Sequence, residues 1–198
     1  EKKRLERKPT DNLEAYDLYL RGRYYWNKRL PDKLKMGIEY FKQAIAKDSN
    51  YALAYAGLAD SYTILGNYNL LPPKQTYPEA KKAALKALEI DSNLAEAHAS
   101  LGFARMNYDW DWAAAERELK RAIEINPNYA TARSWYAFLL TVMGRFEEAT
   151  HVRKKALELD PLSPVINADV GLTLYFARRY DEAIEQFNKT LEIDPTFA

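Results

Sequence analysis

The chain has no cysteine, two histidines and three methionines among its 198 residues. Without cysteine there are no disulfides, thiolate metal sites or thiol nucleophiles, and that absence suits the cytoplasm and the periplasm equally. His98 and His151 are 53 positions apart, too far in sequence for a histidine-pair metal motif. Seven scattered glycines form neither a phosphate-cradling loop nor a dinucleotide fingerprint. No metal, cofactor or catalytic residue is expected, and the chain is not read as an enzyme.

Charge of one sign is also scarce. Lys plus Arg is 29 and Asp plus Glu is 28, a net +1, which is no electrostatic footprint for a polyanion. Nucleic acid is therefore not an expected partner. The one basic concentration, Lys2, Lys3, Arg4, Arg7 and Lys8, is interrupted by Glu1 and Glu6, and residues 1–10 read as a charged lead-in helix or linker. Long hydrophobic runs are missing too. The longest, residues 135–143, includes Thr141 and falls well short of the ~20 residues a spanning helix needs, so membrane insertion is not expected. Glu1-Lys2-Lys3-Arg4 has no apolar leader behind it, and the first residue is not Met; the chain is expected to be a piece of a longer protein.

A repeat is plainly present. Segments 37–44, 80–87, 115–122, 149–156 and 183–190 align as one amphipathic pattern, with apolar or small residues at i, i+4 and i+7, as in Ala183, Phe187 and Thr190. Each ends at a breaker: Ser49, Ser92, Pro127, Pro161 and Pro195, spaced 43, 35, 34 and 34 residues apart. An earlier helix in each unit carries a large–small pair, as in Leu58-Ala59, Leu101-Gly102, Tyr136-Ala137 and Val170-Gly171. The unit is thus a helical hairpin whose small residue permits close approach, and neither helix can bury its apolar face without stacked neighbours. Capping-box spacing is expected to start helices at Asp11 with Glu14, Thr76 with Glu79 and Asn93 with Glu96, and Ser163-Pro164 at another start. Gly66 and Gly144 are placed to end first helices.

These residues resemble the tetratricopeptide repeat family. Tyr55, Leu58, Ala59, Tyr62 and Gly66 carry the likeness in the second unit, Leu101, Gly102 and Leu119 in the third, and Val170, Gly171, Tyr180, Ala183 and Phe187 in the fifth. Gly37, Arg153 and Thr190 depart from the pattern, standing where the family has alanine, an aromatic and alanine. The resemblance implies an all-α fold: an α-solenoid, a right-handed superhelix of about five stacked antiparallel hairpins. The array is expected over 11–198, with repeats near 13–51, 52–94, 95–129, 130–163 and 164–197. Residues 15–26 and Tyr108-Asp109-Trp110-Asp111-Trp112 look more narrowly like the repeat region of large bacterial signalling proteins, which follows a kinase, cyclase or winged-helix module.

Two places break the period. The second repeat holds nine extra residues, 67–75, read as a loop whose Leu70 and Leu71 fold back over the hairpin end, with a functional loop as the alternative. Trp110 and Trp112 flank a candidate N-cap, Asp111, and are read as a packing wedge rather than a ligand shelf.

The resemblance implies that partners bind the concave face lined by the first (A) helices. Residues three before, one after and four after each small contact residue share that face by helical spacing. The candidate partner-binding residues are Tyr19, Arg23, Trp26, Asp60, Thr63, Phe103, Met106, Phe138, Thr141, Leu172 and Tyr175. The Lys and Asn set with which family members grip an acidic C-terminus is absent, since Tyr19, Arg23, Asp60, Ala99 and Phe103 stand there. The expected role is a scaffold that holds a peptide or helix of a partner protein on apolar and aromatic anchors. The alternatives are an intramolecular regulatory or sensor segment of a multidomain signalling protein, and an RNA-binding helical repeat, which the near-zero net charge opposes. Ile184, Phe187 and Leu191 on the last helix are expected to lack cover, offering a route to self-association.

Overall fold

The computed structural model describes residues 10–197, so the lead-in expected over 1–10 lies, apart from Thr10, outside the described residues. These contain ten α-helices and divide into two compact units, one ending at Asp111 and the other starting at Trp112. The first holds α1 (Leu13–Asn27), α2 (Pro31–Lys47), α3 (Ala52–Asn67), α4 (Pro73–Ile90) and α5 (Ala95–Ala104), which runs on into a π-helical turn, Arg105–Asp109. The second holds α6 (Trp112–Ile125), α7 (Ala130–Val142), α8 (Phe146–Leu159), α9 (Pro164–Phe176) and α10 (Tyr180–Ile193).

Hairpins form by matching small residues to rings. In the first unit α1 packs on α2 and α3 on α4, and the buried Phe41 ring of α2 fits against Gly22 and Gly57. A Cβ at either glycine would come within 2.5 Å of that ring. The second unit repeats the device: a Cβ on Gly171 would meet the Phe187 ring of α10 at 2.6 Å. Between α8 and α7 the ring's place is taken by Arg153, only 1% exposed. Ala59, Ala83, Ala84 and Leu101 form one core cluster in the first unit, covered by Leu58 and Leu88.

Three of the joints between hairpins are closed by a short polar side chain just before the breaker. Asp48 accepts from the Asn50 N–H at 2.9 Å, Asp91 from Asn93 at 3.0 Å and Asn126 from Asn128 at 3.2 Å. These are Asx turns, which replace helical backbone bonds with local ones and so stop the helix. The turns inside the hairpins use left-handed backbone instead, at Arg29, Asn69, Trp110, Gly144 and Arg178.

Several helix starts differ from the sequence expectation. Asn12, not Asp11, caps α1, accepting from the Ala15 N–H at 3.0 Å. Helix α4 begins at Pro73, whose fixed φ suits a first turn, so Thr76 lies inside it and the loop expected over 67–75 shrinks to 68–72. Leu70 and Leu71 are half-buried there, and both N–H groups reach the Leu65 carbonyl, at 3.0 and 3.3 Å. Helix α5 is preceded by Leu94 with no side-chain cap, because Asn93 belongs to the Asp91 turn. Ser163 does cap α9, accepting from the Ile166 N–H at 3.3 Å. Gly66 is buried inside α3, one residue before its end, against Thr76 and Tyr77, whereas Gly144 follows α7 with φ +74°. The wedge expected at Trp110 is not formed by that residue: its φ of +58° turns the ring outward, 73% exposed, while Trp112 is half-buried.

Candidate functional site

The candidate surface is the face of the A helices: α1, α3 and α5 in the first unit, α7 and α9 in the second. In the first unit small residues bring these helices close enough for a buried polar bridge. Arg23 on α1 donates to Asp60 of α3 at 2.8 Å, and the Ser100 hydroxyl of α5 donates to the other carboxylate oxygen. Asp60 is fully buried. Burial pushes its carboxyl above the ordinary range, opposed by the Arg23 guanidinium and by the Ser100 hydrogen bond. Arg23 and Arg29 also stack on Trp26, with guanidinium carbons 4.2 and 3.5 Å from the ring centroid. Beside them Tyr19 packs on Phe41 and Tyr51, and burial lifts its hydroxyl to about 12.

The second unit has its own buried ion pair. Arg153 reaches out of α8 and donates through Nη1 to the Ser134 carbonyl at 2.9 Å, the Ser134 hydroxyl at 2.5 Å and Asp169 at 2.9 Å. Ser134 in turn donates to Asp169 at 2.8 Å, joining α7 to α9. Burial lowers the Arg153 guanidinium, and Asp169 offsets the loss. A buried charge of this kind holds only while its partner is present. Toward the C-terminal ends of the same helices, the Thr141 and Thr173 hydroxyls lie 3.4 Å apart.

The candidate residues therefore fall into three groups. Trp26, Asp60, Thr63, Phe103, Met106 and Thr141 are buried, so they support the face rather than present a surface. The physical reason is close packing: helices that approach through Gly and Ala enclose even residues near the face. Tyr19, Arg23, Phe138 and Leu172 are half-buried, and Tyr175 is exposed. Within the second unit, Phe138, Leu172 and Tyr175 lie on the A helices with part of each side chain accessible. Sequence reasoning left out Ser100 and Asp169, which fall two positions before their small contact residues, and no spacing signal separated them from other polar residues. Among the described residues no group of His, Asp or Glu could hold a metal, and no helix is long and apolar enough to cross a membrane.

Antiparallel hairpins built on a small-residue register, with two A-helix layers tied by buried polar bridges, place the protein in the all-α solenoid class. Residues 111–161 and 166–197 each match a family model described as Tetratricopeptide repeat. These two segments are tetratricopeptide repeats by sequence, and the fold neighbours share the helical-repeat architecture of the chain. A thermophilic TPR protein of Thermus thermophilus shares the fold at TM-score 0.73 and 19% identity, covering 92% of both chains. MamA aligns at TM-score 0.55 and 25% identity over 83% of this chain and 90% of its own. YrrB, described as a TPR protein with an unusual peptide-binding site, aligns at TM-score 0.54 and 25% identity over 83% of this chain and 80% of its own. In sequence, the transcriptional regulator HilA of Salmonella typhimurium is 25% identical over 139 residues, 70% of this chain, and HilA of Salmonella typhi matches equally. The chain spans about 25% of the length of these curated relatives.

Proposed function

We propose that the chain is a protein-interaction scaffold that binds a peptide or helix of a partner on the A-helix face of its second unit. The observation that carries this reading is the contrast between the two units. In the first, Trp26, Asp60, Thr63, Phe103 and Met106 are closed off, and the half-buried Tyr19 and Arg23 are engaged within the unit, on Phe41 and Tyr51 and on Asp60. In the second, Phe138 and Leu172 keep partial exposure and Tyr175 is open, so apolar anchors remain for an incoming side chain. YrrB, with its peptide-binding site, lends support at the level of the family.

A 12-residue peptide selected by phage display on the chain, then measured by fluorescence anisotropy, tests this. Phe138→Ala and Leu172→Ala are each expected to weaken it by about tenfold, the size of an interface anchor. Unchanged affinity in both rejects the face.

A second reading is favoured by the likeness to a transcriptional regulator of which the matched stretch is only 25%: the face engages another module of the same polypeptide and restrains or senses it. In the full-length parent, the same two substitutions would then alter the output of the neighbouring module with no added partner. An output unaffected by either removes this reading.

A further inference from the structure

The hairpin turn between α9 and α10 gathers three aromatic rings that stay open to solvent. Tyr175 lies 5.6 Å from Phe176 and 5.7 Å from Tyr180, centroid to centroid. Each ring is about half exposed, at 52%, 51% and 52%. Helices α7 and α9 pack side by side, and the Thr141–Thr173 contact joins them near their C-terminal ends. Val142 and Met143, the next residues along α7 and its cap, are exposed as well. A cluster of exposed rings in mutual contact at one edge of a unit marks a contact surface.

Arg178 supplies the second observation. It has φ +60°, a backbone conformation that favours glycine and in which an arginine is strained. The corresponding turn of the preceding hairpin meets the same demand with Gly144 at φ +74°. Arg29, the other arginine in such a turn, is used internally, stacked on Trp26. Arg178 is exposed and makes no ion pair among the described residues. Its neighbour Arg179 is already held by Glu182 through two bonds of 2.7 and 2.6 Å, and Arg145 by Glu148 through two of 2.7 Å. Of the arginines of this turn, Arg178 is the one that no carboxylate of the described residues holds, and its backbone N–H bonds the Tyr175 carbonyl at 3.0 Å.

We propose that this corner is a docking site for a short acidic, apolar segment of a partner protein, with the rings taking an apolar side chain and Arg178 its neighbouring carboxylate. An arginine in that position offers paired N–H donors in the geometry a carboxylate accepts. The inference deepens the scaffold reading, resting on the accessible second unit, but it uses the turn edge rather than Phe138 and Leu172.

Two fluorescein-labelled peptides test it on the whole chain: an acidic probe, Glu-Leu-Phe-Asp-Leu, and its basic twin, Lys-Leu-Phe-Lys-Leu. The acidic probe is expected to bind at least about tenfold more tightly. Phe176→Ser, at an exposed position, weakens both. Arg178→Gly, which the turn geometry favours, abolishes the preference, and Arg178→Glu reverses it; circular dichroism verifies that each variant keeps its helix content. Equal affinity for the two probes, binding of neither, or a preference that survives Arg178→Gly overturns the proposal. If only Phe138→Ala and Leu172→Ala weaken the acidic probe, the scaffold reading stands and the turn-edge site falls.

Discussion

Glu116 illustrates what a single residue contributes when three donors converge on it. Burial pushes its carboxyl up, but Lys120 at 2.8 Å, Arg145 at 3.0 Å and the Tyr136 hydroxyl at 2.9 Å outweigh that and hold it at about 2. A depressed pKa means that the folded state holds the proton less tightly than the unfolded one. The stabilisation is therefore complete above the unfolded value of 4.5 and is lost as pH falls toward about 2. After allowance for solvent screening it amounts to about 2 kcal/mol. Urea unfolding of Glu116→Gln and the parent chain between pH 7 and 2 should give curves that differ by about that amount at neutral pH and converge in acid. A constant gap across the range would show that the three donors do not stabilise the carboxylate. Arg153 makes the companion point: an arginine in a site that elsewhere holds a ring is tolerated because Ser134 and Asp169 were placed to receive it.

At the scale of the element, a helix pair is specified by size rather than by hydrophobicity alone. Phe187 can enter α9 only because residue 171 has no side chain. Gly171→Ala places a Cβ 2.6 Å from the Phe187 ring, and although alanine favours helix over glycine, the clash should dominate. The expected cost is about 1–3 kcal/mol, read as a shift in denaturation midpoint, with partial recovery in the double variant carrying Phe187→Leu. Neutral behaviour of Gly171→Ala would mean the ring is free to move. Helix boundaries follow similarly local causes. The Asx turns at Asp48, Asp91 and Asn126 end the second helices, while Pro73 starts α4 early and turns part of the inserted stretch into helix. Phe187, expected to be uncovered, faces inward to Gly171, so of the three residues expected to lack cover Ile184 and Leu191 remain outside.

At the scale of the whole molecule, the question is what covers exposed apolar surface. Ile184 is 59% and Leu191 47% exposed on α10, a stripe of the kind that repeat proteins ordinarily pack against a following element. If that stripe drives self-association, analytical ultracentrifugation will show a concentration-dependent increase in mass that Ile184→Glu with Leu191→Glu removes. A parent chain that stays monomeric up to hundreds of micromolar assigns no such role to α10. Near-zero net charge, with Lys plus Arg 29 against Asp plus Glu 28, offers little electrostatic barrier to association of this kind.

The repeat period, the all-α class and the paired small and large positions were legible in the sequence, because they follow from helical spacing and from breakers that act over a few residues. The resemblance to tetratricopeptide repeats followed from the same residues. Tertiary structure decided which of the face residues are accessible. Asp60, Thr63 and Phe103 satisfy the spacing rule as well as Leu172 and Tyr175 do, yet the first three are enclosed and Tyr175 is open. Periodicity tells which side of a helix a residue occupies; how much water reaches it depends on neighbours far away in sequence. The same limit hid the bridges from Arg23 to Asp60 and Ser100 and from Arg153 to Ser134 and Asp169, since their partners lie 16 to 40 positions apart and meet only when hairpins stack.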